Sequence, residues 1–148
     1  MRPSTLSPSS IGARHSGYPI GACRTGANCD RLTGLYWRSE AELGGAVSWE
    51  AALTAVQALN RRFAEPGWRL PTITELESLA DCSIHTPALP LHHPFRSVQD
   101  VYWSSTTSLY EPDWAWALYL DKGAVGVGQK RQVRFHVWAM SQQLPRER

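Results

Sequence analysis

Two stretches of the chain repeat with a helical period. Across 48–63, Trp49, Ala52, Leu53, Val56, Leu59, Asn60 and Phe63 recur at i, i+3, i+4 and i+7, the spacing of one helix face. Ser48 stands before the run as an N-cap, Glu50 suits its first turn, and Pro66-Gly67 closes it. A second helix is expected from Thr72 to about Asp81-Cys82. Its opening, Thr72-Ile73-Thr74-Glu75, reads as a capping box in which the Thr hydroxyl and the Glu carboxylate satisfy each other's backbone amides. Ile73, Leu76, Leu79 and Ala80 form its apolar stripe.

Beyond that helix the period is lost and then becomes two. Residues 83–100 hold three prolines and three histidines without periodicity, and a long ordered loop is expected there. A strand follows over 101–104. Over 115–120, Trp116, Leu118 and Leu120 fall on one face and Ala115, Ala117 and Tyr119 on the other. Asp121-Lys122-Gly123 is a hairpin turn, and 124–128 returns with Val125 and Val127 facing inward. A last strand, 132–139, sets Val133, Phe135 and Val137 against Arg134, His136 and Trp138. Upstream, Asp30 to Gly34 makes a turn into a short apolar strand at 35–37. The pattern predicts an α+β domain with the helices covering one side or end of an antiparallel sheet. Residues 1–28, rich in Ser, Pro, Gly and Thr, read as a flexible N-terminal tail or linker, 29–140 as the domain, and 141–148 as a polar C-terminal tail.

At 148 residues the chain is long enough for one domain and one core. Charged residues make up only 19%, while tryptophans number seven, which points to aromatic packing or an aromatic binding face. The net charge of +2 is not gathered into a patch, which argues against nucleic acid as a partner. Cys23 and Cys29 are spaced to close a small disulfide or to stay reduced. No stretch is long and apolar enough for a membrane span, and the N-terminus lacks the apolar segment of a secretory signal. Either the protein is made without one or the chain begins after it.

Five motifs follow one another in a recognisable order. They are Asp30-Arg31-Leu32-Thr33-Gly34-Leu35-Tyr36-Trp37; Trp49 and Ala52 with Leu59-Asn60; Trp68-Arg69-Leu70-Pro71 through Glu75-Leu76; Tyr102-Trp103-Ser104-Ser105-Thr106; and Ala115-Trp116 with Gly123. Together they resemble DUF1566, the Lcl C-terminal domain family, a bacterial and phage family of unknown function, over residues 30–138. The resemblance implies a C-type-lectin-like fold: two helices packed on a twisted antiparallel sheet, with a long loop region that carries ligand contacts. It also implies an extracytoplasmic, cell-surface or virion setting. The family's closing strand carries two arginines. Arg134 matches the first, but the second is missing and the strand reads on as Phe135-His136-Val137-Trp138, so its role is lost or moved to His136.

Trp68, Arg69, Pro71, Glu75, Trp103 and Trp116 are expected to be structural, with Arg69 paired to Glu75 or Asp81. The expected ligand contacts are Tyr110, Glu111, Asp113 and Trp114, in the loop where the superfamily builds its binding surface. Glu111-Pro112-Asp113 resembles the Glu-Pro-Asn tripeptide of calcium-dependent lectins, but Trp114-Ala115-Trp116 replaces the downstream oxygen ligands, so no metal is expected. Asp81, Cys82, His85, His92 and His93 lack zinc-site spacing, because adjacent histidines point their rings apart. A phosphate loop, an HExxH helix and a nucleophile elbow are all missing, and Cys82 stands alone where sulfatase-modifying relatives use a cysteine pair. The sequence therefore predicts a noncatalytic, cofactor-free binding or adhesion module for a glycan or protein surface. The alternatives are a self-associating structural or accessory subunit of a bacterial or phage assembly and, third, a metal-dependent or redox enzyme.

Overall fold

The computed structural model describes residues 19–23, 26–65 and 67–147. Among them the elements run β1 (Ile20–Ala22), β2 (Ala27–Asp30), β3 (Tyr36–Arg38), α1 (Trp49–Asn60), β4 (Phe63–Glu65), α2 (Ile73–Glu77), β5 (Val101–Thr107), β6 (Trp114–Tyr119), β7 (Ala124–Gln129), β8 (Met140–Ser141) and β9 (Arg146–Glu147). All paired strands are antiparallel. They form a four-stranded sheet ordered β1-β2-β3-β8, a three-stranded sheet ordered β5-β6-β7, and the two-stranded ribbon β9-β4. The class is α+β, as the period change predicts.

Several expectations need correction. Residues 20–22 and 27–28, read as tail, belong to the four-stranded sheet, with Ile20 and Ala27 buried; residues 1–18 lie outside the described residues. Toward the C-terminus, Ser141 pairs within β8 and 146–147 pair as β9. Of the two states that the spacing of Cys23 and Cys29 left open, the structure has free half-buried thiols, and burial, then the neighbouring Cys29, pushes the Cys23 thiol up. The segment 132–139 is not a strand. It touches its neighbours through the isolated bridges Val47↔Phe135 and Tyr102↔His136, although its alternation holds inward of the exposed Val133.

The three-stranded sheet divides the interior. Trp103, Ala115 and Ala117 face a core built with Ala52, Val56, Leu59, Phe63 and Trp68 around α1. Tyr102, Leu118 and Leu120 face a second core with Leu76, Leu79, Trp37 and Trp138 around α2. The helices thus cover opposite faces of this sheet, not one. That is why both alternating sets of β5 and β6 are apolar: a strand buried on both sides has no polar face to reveal its orientation. The Tyr102 hydroxyl accepts from Gln99 N and donates to Ala41 O, both at 2.6 Å, and burial raises its pKa.

Strand β7 reverses the expected polarity. Val125 and Val127 are exposed, at 38% and 36%. Its inward positions are Gly126 and Gly128, whose missing side chains leave room for two rings. A Cβ at Gly126 would come within 2.8 Å of the Tyr119 ring, and one at Gly128 within 2.2 Å of the Phe135 ring.

Helix α1 starts at Ser48, whose hydroxyl accepts from Ala51 N. At its end Asn60 grips the next segment: its amide donates to Trp68 O at 2.7 Å, and its Oδ1 accepts from Trp68 N at 2.9 Å. The capping box of α2 is present, but the helix stops at Glu77 and continues as tighter turns to Ala80. Arg69 pairs with Glu75 and not Asp81, in a two-pronged fork of 2.8 and 2.7 Å. Glu75 Oε1 also accepts from Thr72 N at 2.9 Å. The Arg69 backbone exchanges both hydrogen bonds with Met140, at 2.8 and 3.0 Å.

Two predictions follow from this packing. The Arg69 hydrogen bonds, foremost, hold the Glu75 carboxyl below its ordinary range against the opposing effect of burial. A depressed carboxyl contributes stability above its unfolded pKa and loses it as pH falls through the folded one. Glu75→Gln is expected to cost about 1–3 kcal/mol at pH 7 in urea unfolding, and the gap to the wild type should close in acid, below the carboxylate range. A gap unchanged by acid would refute the assignment. Separately, Gly128→Ala is expected to lose about 1–3 kcal/mol through overpacking on the buried Phe135 ring. Gly126→Ala should cost less, because the half-buried Tyr119 ring can tilt; calorimetric midpoints of the two variants decide it.

Candidate functional site

The hairpin between β5 and β6 is hydrogen-bonded both at its base and across its tip. The register of β5 shifts between Trp103 and Thr107. Ser104 repairs that irregularity, its buried hydroxyl donating to Trp116 O at 2.6 Å and accepting from Thr106 N at 3.1 Å. Serine suits the place because its short side chain replaces a lost ladder bond. Just beyond, Ser105 N donates to Pro71 O at 2.8 Å and Ile73 N donates to Thr106 Oγ1 at 3.0 Å. Through Pro71 and Ile73 the Trp68–Leu76 motif is therefore bonded to the base of the hairpin.

The tip closes with three bonds: Ser108 N to Trp114 O at 2.9 Å, Trp114 N to Glu111 O at 2.9 Å, and Glu111 N to the Ser108 hydroxyl at 3.3 Å. Leu109 and Tyr110 stand out from it at 92% and 93% exposure, and Glu111, Pro112 and Asp113 are exposed beside them. Trp114 is half-buried at the start of β6. The four expected contact residues are thus on one short hairpin, with Tyr110 at its apex and Trp114 at its base.

Sequence reasoning missed the ground next to the tip. Lys130 N donates to Asp113 O at 2.9 Å, and its ammonium donates to Thr107 Oγ1 at 2.9 Å while lying 4.1 Å above the Trp49 ring. The Trp49 indole in turn donates to Ser104 O at 2.9 Å. A groove of about 530 Å³ opens here, lined by Ser48, Glu50, Asp113, Lys130 and Arg131. It offers hydroxyl, carboxylates and cations together. The pair Lys130-Arg131 was visible in the sequence, but nothing local linked it to Asp113 or to the start of α1.

The other expectations resolve individually. Trp68 and Trp103 are buried, Pro71 is fully enclosed, and Trp116 is half-buried. His136 takes a structural place: its Nδ1 lies 2.7 Å from Glu42 Oε2, the kind of tie an arginine would make. Cys82 is exposed, with its thiol 3.7 Å from Gly123 O. Among the described residues no group of three or more His, Cys, Asp or Glu side chains is arranged to hold a metal ion. No helix among them is long and apolar enough to cross a membrane.

A family model, the Lcl C-terminal domain, matches residues 26–141. No curated protein and no solved structure matches the chain.

Proposed function

The chain belongs to the Lcl C-terminal domain family, and from that membership and the geometry of the hairpin we propose that it is a noncatalytic binding or adhesion module recognising a glycan or protein surface. The observation that carries this reading is the apex itself. A turn closed by three hydrogen bonds presents Leu109 and Tyr110 almost wholly to solvent. Side chains that gain nothing from the protein's own packing are suited to pack on something else. The groove beside them favours a glycan over a protein. A sugar ring stacks on an aromatic face and needs hydroxyl, carboxylate and cationic partners nearby, and Ser48, Asp113 and Lys130 supply them. Two helices on a three-stranded sheet, with the irregular segment 83–100, support a C-type-lectin-like scaffold.

One observation favours a second reading, a self-associating subunit of a larger assembly. Strand β7 is the outer strand of its sheet and exposes Val125 and Val127, an apolar edge of the kind that pairs with another chain. Sedimentation of the wild type against Val127→Lys tests it: a dimer that Val127→Lys converts to monomer supports assembly.

For the first reading, a glycan array of the purified chain should return bound sugars. Tyr110→Ala and Trp114→Ala should each weaken the best of them about tenfold or more, with Tyr110→Ala leaving the unfolding midpoint in place. Binding that survives both substitutions would move the site elsewhere.

A further inference from the structure

A second cavity, of about 430 Å³, lies at the opposite end of the three-stranded sheet, where the loop before β5 closes over the β6–β7 turn. The closure is well defined. Thr86 N donates to Asp121 O at 2.9 Å, Ala88 N to Leu120 O at 2.7 Å, and Leu120 N to Asp100 O at 2.7 Å. Against Gly123 the approach is so close that a Cβ there would lie 3.0 Å from the Ala88 side chain.

Three observations set this cavity apart from an ordinary surface dent. Among the described residues, the non-glycine residues with positive φ are Thr86 and Ser97, both at 59°, and both line it. Side chains rarely adopt that backbone, and such strain gathers where a ligand is held. Next, Asp121 lines the cavity, and its buried Oδ1 meets no hydrogen-bond donor of the protein. With that oxygen shut off from solvent and unmatched by any donor, the protein leaves the carboxylate's charge uncompensated, so a cation reaching the rest of the group from the cavity is favoured. Finally, the wall is apolar and aromatic. Phe95 and His93 stack at 6.0 Å and 20°, with Pro87 and Val98 beside them. His93 Nδ1 accepts from Phe95 N at 3.2 Å, so the neutral imidazole carries its proton on Nε2. Burial lowers the His93 pKa and favours that neutral form.

The lining fixes the sign of the ligand. Asp121 and Asp100 bring two carboxylates, and neither Lys nor Arg lines the cavity. We propose that this cavity binds a small organic ammonium, an amine cation on an apolar or aromatic body, with the cation at Asp121 and the body against Phe95 and His93. The carboxylate supplies the charge partner and the ring faces add cation–π attraction. An anion meets repulsion, and a neutral body of the same shape leaves the Asp121 charge without a counter-charge. This site shares no lining residue with the groove at the hairpin tip, so it stands or falls separately from the proposed glycan contact.

Calorimetric titration of the full chain with phenethylammonium, and with 2-phenylethanol as its neutral analogue, tests the proposal. The ammonium should bind at millimolar strength or tighter and the alcohol about tenfold or more weaker. Asp121→Asn, which keeps the shape and removes the charge, should abolish that preference, while Tyr110→Ala should keep it. Amide chemical-shift changes should centre on residues 86–100 and 121. Absence of heat and shift changes up to about 10 mM, equal affinity for amine and alcohol, or shifts centred on residues 108–114 would each overturn the assignment. The amine–alcohol comparison uses the unaltered protein, so it decides the matter even if Asp121→Asn fails to fold.

Discussion

One carboxylate joins the parts of this fold that the sequence keeps apart. Glu75 accepts both prongs of the Arg69 guanidinium and, through the same Oε1, the amide that opens α2. Arg69 is itself fastened by its backbone to Met140 in β8. The fork therefore ties the second helix to the four-stranded sheet, and the segment between them carries Pro71, which receives the base of the β5–β6 hairpin. A fork of two charge-assisted bonds fixes an angle as well as a distance. Lysine, with one compact charge, would keep the attraction and lose the orientation.

Legibility followed locality. The cap at Thr72, the start of α1 at Ser48 and the turn at Gly123 depend on neighbours a few residues away, and the sequence displayed each of them. The segment 132–139 shows the limit. Its alternation of Phe135, Val137 and Ala139 against His136 and Trp138 is real, since it lies between two cores, but alternation reports burial and not pairing. Isolated bridges and single hydrogen bonds, such as Arg38 N to Ala139 O and the Trp138 indole to Arg38 O, hold it to its neighbours in place of a ladder. Val125 and Val127 mislead for a related reason. Apolar side chains usually mark the inward face, yet here the rings of Tyr119 and Phe135 occupy the space inside and only glycine leaves room for them.

The two candidate sites divide the same way. Tyr110 and Trp114 were legible because a short hairpin keeps them together. The groove beside them joins Ser48 to Lys130, and the second cavity joins Thr86 to Asp121, across separations that no motif spans. Nor does anything in the sequence foretell that Asp121 would be left with an unmatched oxygen, because that depends on what the loop before β5 fails to bring to it.

Strand β6 runs from one of these places to the other, from Trp114 at the base of the hairpin to the turn that begins at Asp121, roughly 20 Å of extended chain. It is the middle strand of its sheet, hydrogen-bonded on both sides. A pull applied between its two ends would run along the strands, so the ladder bonds would share the load in shear and yield together, not peel apart one at a time. The fold thus has a stiff axis, set by a strand whose inner residues contact neither site.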